Sequence, residues 1–334
     1  DRIDAVQRLD QQIAQLLPEI APDVIVFDQF MSLPSVMRSG IPYVWVCCNG
    51  PLYLVADDKA PPASSGLSAF GNKKLWKEFY EVKRNTTLEP WKQYNAYVVS
   101  KDCQPLPKNS FIQTTDCLIL YAFPLELDYL DIRPLPKNYI RFDNFMRKDI
   151  QLKFEIPLQL RDRPGKFVYF SLGSMGAADV DNMKRLLNIL FKSKHRFIVS
   201  KGPLHNEFQL ADNMWGEGSV PQIQVLPLVD LVITHGGVNT VTETLYFGKP
   251  MIVLPLFGDQ YDNAQRVEDK GFGIRLDAYK CSEEELLNAI EKLLNDTEIH
   301  EKLRKISQRI QSDNSIAKLP KIFEDYVINR QKYI

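Results

Sequence analysis

The 334-residue chain has little histidine and cysteine, four and five residues, and no long block of one charge. Lys plus Arg, 41, nearly cancels Asp plus Glu, 42. Electrostatic capture of nucleic acid or of an anionic membrane is therefore not expected. Cys47, Cys48, Cys103, Cys117 and Cys281 form an odd set without a C-x-x-C pair. That argues against a disulfide framework or a zinc site and makes the cytosol the expected compartment. No apolar run of about 20 residues occurs, so no membrane anchor is expected. The opening Asp1-Arg2-Ile3-Asp4 is not a secretory signal; it lacks Met and starts inside a helical pattern, so an amino-terminal piece is expected to be missing. With no export signal, the sequons at Asn85 and Asn295 read as chance.

What is present suffices for a packed protein: 45% hydrophobic and 25% charged residues can bury a full core. The length exceeds what one core usually serves, so two domains of about 150 residues are expected, with a cleft between them. Ile3, Val6, Leu9, Ile13, Leu16 and Leu17 recur at helical spacing before Pro18 and Pro22. Val24 to Phe27 is a short apolar run that predicts a strand buried on both faces, with Asp28 at its carboxyl end. A short helix over 32–39 and a strand over 43–48 give parallel α/β winding. A loop-rich stretch over 50–72 precedes a helical pattern over 73–100, and strand character returns at 117–121. The segment 131–164, with Pro134, Pro136, Pro157 and Pro164, reads as an irregular linker. Winding then restarts, with strands at 166–171, 196–200, 231–234 and 251–254 and helices at 179–194, 238–247, 283–294, 299–310 and 316–328. The fold class is α/β, two doubly wound halves.

Three strand ends in the second half carry polar, Gly-rich turns, where ligands of open α/β sheets bind. Ser171-Leu172-Gly173-Ser174-Met175-Gly176 offers small residues and free N–H groups at a helix start, though it is not G-x-G-x-x-G and suits a plain turn equally well. At Thr234 to Glu243, His235, Gly237, Asn239 and Thr240 can face one phosphate, and Glu243, a turn further on, can accept from a ribose diol. Taken alone, His235 would read better as a structural histidine beside a Gly turn. Asp259 and Gln260, after the strand at 251–254, suit hexose hydroxyls or, more simply, a helix cap.

Together, Val220-Pro221-Gln222, His235-Gly236-Gly237-x-Asn239-Thr240-x-x-Glu243 and Asp259-Gln260-x-x-Asn263 resemble the donor signature of the UDP-glycosyltransferase family. The resemblance covers most of the second half and, more weakly, residues 1–130. It implies a GT-B fold of two Rossmann-like domains facing across a cleft: an acceptor-binding domain over 1–148, a donor-binding domain over 149–312, and a terminal helix, 313–334, returning to the first. It implies that Gln222 and the backbone at Val220 meet uridine, and Glu243 the ribose. Ser174, His235, Gly237, Asn239 and Thr240 would meet the diphosphate, and Asp259 and Gln260 the sugar. Many members carry a uracil-stacking Trp two residues before the Pro-Gln pair; here that residue is Ser219, and Trp215 lies four residues earlier.

The resemblance also implies inverting, metal-free transfer of a hexose, with glucose expected, from a UDP-sugar co-substrate and without a further cofactor. Family members deprotonate the acceptor with a His held by an Asp. Asp28 resembles that Asp, while the His has no counterpart in these residues. His195, His205 and His300 are expected at the surface. Asp179-Val180-Asp181 is a D-x-D tripeptide but opens a helix, where Asp caps. The expected acceptor is a lipophilic small molecule such as a phenol, flavonoid or xenobiotic alcohol, walled from Trp76, Phe79, Tyr80, Trp91, Tyr94 and Tyr97, although any one of these fits a helix-pair core as well. A monomer is expected. Two rivals stand beside this reading: a non-catalytic binder of UDP-sugars or hydrophobic small molecules, and a non-hydrolysing nucleotide-sugar epimerase, whose acid–base set is not identifiable here.

Overall fold

The structure is a computed structural model that describes residues 2–55, 57–113, 117–146 and 153–328. Among these residues ten strands form two parallel sheets. The first holds β1 (Ile25–Phe27), β2 (Tyr43–Cys47), β3 (Leu118–Ala122) and β4 (Tyr139–Phe142), side by side in that order. The second holds β5 (Phe167–Ser171), β6 (Arg196–Ser200), β7 (Met214–Glu217), β8 (Leu231–Thr234), β9 (Met251–Val253) and β10 (Gly273–Arg275), in the order β10-β9-β8-β5-β6-β7. The strand sequences explain the pairing. Leu231-Val232-Ile233-Thr234 and Met251-Ile252-Val253 are buried at every position, as strands with helices over both faces must be.

Two expectations are corrected. The segment 131–164 is not an irregular linker throughout, because Tyr139–Phe142 adds the fourth strand of the first sheet, with Ile119 opposite Tyr139 and Ala122 opposite Phe142. Only Phe142 of that strand is buried, so periodicity carried almost no signal for it. The strand at Ile25–Phe27 is not buried on both faces either. Among the described residues it pairs with β2 alone, and Val26 is 51% exposed.

The carboxyl-terminal helix Leu319–Ile328 leaves the second half and lies on the first sheet, where Tyr326 packs with Val44, Leu118, Leu120 and Phe142 and donates to the Tyr43 carbonyl at 2.9 Å. The two halves also meet along the helix Asp259–Asp269. Its Arg266 is fully buried. Nε donates to the Leu127 carbonyl at 3.0 Å, Nη2 to the Asp128 carbonyl and to Asp131 Oδ1 at 2.7 Å, and the guanidinium lies 4.4 Å from the Tyr129 ring centre. From the next layer Arg309 grips Glu126 and Asp143 with four hydrogen bonds. A charge taken wholly out of water is tolerable only when so paired, and breaking such a set is costly. Arg266→Ala is expected to destabilise the protein by about 3–5 kcal/mol, read as a fall in the thermal unfolding midpoint; an unchanged midpoint would show that Arg266 does not hold the halves together.

Candidate functional site

The order of the second sheet reverses between β5 and β8, and a ligand of an open parallel sheet sits outside the carboxyl ends of the strands at such a reversal. The turn after β5 brings Gly173 and Ser174, and the turn after β8 brings His235, Gly236 and Gly237. The His235 ring is sandwiched between two of these glycines. A Cβ on Gly173 would stand 2.8 Å from His235 Cε1, and one on Gly237 2.6 Å from His235 Nε2. Gly173 also has φ +70°, so both space and backbone require glycine there.

Gly237 is the N-cap of the helix Val238–Tyr246, whose first N–H groups are left free by helix geometry. Ser174 and Asn239 are exposed at this mouth, while Thr240 is buried beside it. The amino end of a helix carries roughly half a positive charge, which suits a diphosphate. Burial pushes the His235 imidazole below its ordinary range, with a hydrogen bond to the Ser171 backbone pulling the other way. Burial thus favours the uncharged ring, and an incoming phosphate would favour its protonation.

Gln222 opens the short helical turn Gln222–Val225, and its Nε2 donates to Glu243 Oε2 at 2.5 Å, with Thr240 Oγ1 at 3.4 Å. The two residues expected at uridine and ribose are thus bonded to each other, which sequence reading did not anticipate. Val220, one of the expected uridine contacts, is buried two residues before Gln222. Trp215 does not supply a base platform from its new position. It sits in β7 and packs on Phe154, ring centres 5.6 Å apart.

After β9, Asp259 and Gln260 open the helix Asp259–Asp269. Gln260 is buried, and its Oε1 accepts from the N–H groups of Leu256 and Phe257 at 3.0 and 3.2 Å, leaving its amide nitrogen as the end able to meet a hydroxyl. Burial raises the Asp259 carboxyl, against a lowering bond from Asn263. Asn263 stands in the signature, but sequence reading gave it no role. Its Nδ2 donates to the Gly236 carbonyl at 2.8 Å and to Asp259 Oδ2 at 3.1 Å, tying the turn after β8 to the Asp259 carboxylate. Its signal was present, since position i+4 from Asp259 shares that helix face.

Asp28 lies exposed at the end of β1 with Cys48 Sγ 3.7 Å from its Oδ2. Two residues after Cys48, Gly50 abuts the donor half: a Cβ there would stand 3.0 Å from Asn263 Oδ1. The end of the first sheet therefore faces the Asp259 and Asn263 end of the second.

The comparisons with known proteins agree with this geometry. A family model described as UDP-glucoronosyl and UDP-glucosyl transferase matches residues 147–323. Human UDP-glucuronosyltransferase 1A10 (Homo sapiens) is 31% identical over 323 residues, covering 89% of this chain and 59% of that one. This chain belongs to that family. A sterol 3-beta-glucosyltransferase of Komagataella phaffii is 32% identical over 160 residues, 46% of this chain and 13% of its own. The chain thus spans less than two thirds of the length of these relatives. Among solved structures, the glycotransferase of kitacinnamycin superposes with a TM-score of 0.69 at 19% identity, covering 93% of this chain and 79% of that one. The fold is GT-B, as the resemblance implied.

The other histidines have different places, and one expectation fails. His195 is not at the surface: it is 4% exposed, accepts from Lys166 N at 3.1 Å and bonds Glu291 Oε1 at 3.0 Å, a structural role. His300 bonds the Leu293 carbonyl at 3.0 Å, and the His205 ring lies against Gly218. Asp179 caps the helix Val180–Leu190 by accepting from Asn182 N at 3.1 Å, the structural role read from the sequence. Of the aromatic pool, Tyr94 and Tyr97 bond Ser32 and Asp10, and Trp91 donates to the Pro107 and Ser110 carbonyls, so these three hold the first half together. Tyr80, bonded to the Asp57 carbonyl, feels the Asp262 charge and stays at the interdomain side.

His235→Ala is expected to weaken UDP binding about tenfold or more, the scale of one lost charge-assisted bond, with the fold retained. Because burial lowers the His235 pKa and a bound anion would raise it, native affinity should rise as pH falls from 8 towards 6, and the variant should lose that slope. Calorimetry at several pH values checks both; equal affinity of variant and native protein would remove His235 from the pocket.

Proposed function

We infer that the protein transfers a hexose from a UDP-sugar, with UDP-glucose the expected donor, to the hydroxyl of a lipophilic small molecule, with inversion and without a metal ion or other cofactor. The observation that carries the reading is the convergence at one sheet reversal of His235 between Gly173 and Gly237, the free amino end of the helix Val238–Tyr246, and the Asp259–Gln260–Asn263 face beside them. The acceptor oxygen loses its proton to a base and forms a bond to the anomeric carbon. The bond from that carbon to the β-phosphate oxygen breaks, and its electron pair leaves with UDP. Charge growing on that oxygen meets the helix terminus and a His235 ring that donates a hydrogen bond once protonated, an electrostatic arrangement that needs no divalent ion. Asp259 and the Gln260 amide suit hexose hydroxyls. Asp28 stands on the acceptor side, where it would orient the group that takes the proton. Roles in detoxification, in a reducing compartment and as a monomer belong to the same proposal. The five free cysteines support the compartment.

A second reading has one observation in its favour. Within these residues none of the four histidines pairs with Asp28, which suits a protein that binds UDP-sugars without turning them over. Incubation with UDP-glucose and 1-naphthol, followed by mass spectrometry, separates the two. The expected result is a naphthyl glucoside that still forms in EDTA. A product that requires added magnesium would sink the metal-free route, and tight UDP binding with no product over a panel of phenols would favour the binder.

A further inference from the structure

The loop after residue 60 in the first half is fastened to the sugar-side helix, most closely by the Asp262 carboxylate. Asp262, 3% exposed, accepts from Ser64 N at 2.6 Å on Oδ2 and from Gly66 N at 2.9 Å on Oδ1. Around this pair the same loop is drawn in further. Arg275 Nη1 donates to the Gly66 carbonyl at 2.7 Å, and Asp269 Oδ2 accepts from Ala69 N at 3.1 Å. Lys83 Nζ, from the long helix of the first half, donates to the Ala63 carbonyl at 2.8 Å. The approach is close enough that a Cβ on Gly66, at φ +58°, would lie 2.9 Å from Tyr261 Cβ.

The fastening holds an unfavourable backbone. Ser64 has φ +70°, a left-handed conformation that costs a non-glycine residue of order 1 kcal/mol or more and persists only when its surroundings impose it. What that conformation achieves is placement of a hydroxyl. Ser64 Oγ hydrogen-bonds Tyr53 Oη, and Tyr53 Oη lies 3.9 Å from where a Cβ would project from Gly258, the residue before Asp259.

We propose that Asp262 is a positioning residue that clamps the 61–70 loop onto the sugar-side helix and so sets the Ser64–Tyr53 hydroxyl pair at the junction of the acceptor and sugar subsites. This rests on the transferase reading above. Asp262 itself touches neither substrate; it acts through Ser64. Since Asp259 and Gln260 lie on the same helix as Asp262, the donor-side and acceptor-side walls are built on one joint, and loss of the clamp displaces the acceptor wall while the nucleotide pocket at His235 stays intact.

The test compares the native chain with Asp262→Ala, Gly66→Ala and Ser64→Ala in three measurements. Amide hydrogen exchange of residues 61–70 should quicken at least about tenfold in Asp262→Ala and Gly66→Ala, with exchange in the helix 259–269 unchanged. UDP affinity should stay within about twofold in all three variants, since no nucleotide contact is altered. With UDP-glucose and 1-naphthol, KM for the naphthol should rise about tenfold or more in all three, while hydrolysis of UDP-glucose without acceptor persists. In Ser64→Ala the loop should remain protected, which separates the hydroxyl from the clamp. Unchanged exchange in Asp262→Ala, or a freed loop with an unaltered naphthol KM, overturns the proposal. Failure of native protein to bind UDP would instead overturn the transferase reading, and the exchange measurement would still decide whether Asp262 clamps the loop.

Discussion

Burial of the Arg266 guanidinium between the two halves is the constraint on which the cleft depends. A permanently charged group cannot be removed from water without partners, and here those partners, the Leu127 and Asp128 carbonyls, Asp131 and the Tyr129 face, all come from the other half of the chain. Parting the halves would expose this set to water only by undoing every bond at once. The helix that carries Arg266 also carries Asp259, Gln260, Asp262 and Asn263 on its other turns, so the joint and the site share one rigid element.

That sharing explains how the site is organised. Asn263 reaches back to Gly236 in the turn after β8 and sideways to Asp259, while Gly50 from the first half approaches it so closely that a Cβ there would stand 3.0 Å from Asn263 Oδ1. A displacement of the helix would therefore reach that turn, Asp259 and the first half together. Glycine at 173 and 237 serves a different need, since the His235 ring fills the volume their side chains would occupy. The cost of such close packing is desolvation of the imidazole, which disfavours its charged form.

The pairing of Gln222 with Glu243 has a similar logic. Each is a polar group at least half withdrawn from water, and a buried amide or carboxylate left alone is costly. Bonded to one another, each meets that need.

The sequence by itself determined the parallel α/β class, the positions of the well-buried strands, and the three polar turns, because full burial and period leave strong marks in residue type. Runs such as Leu231 to Thr234 and turns such as His235-Gly236-Gly237 have few other uses. It did not reveal β4, three of whose four residues are only partly buried, nor the exposure of Val26 in β1. Burial of His195 beside Glu291 was equally hidden, because the partner lies 96 residues away. Tertiary structure alone decided which half each polar side chain of the helix 259–269 serves. Asp259 bonds Asn263 beside the turn after β8, while Asp262 and Arg266 turn to the first half, and only the docking of two sheets at one angle assigns neighbouring residues of a single helix to such different tasks.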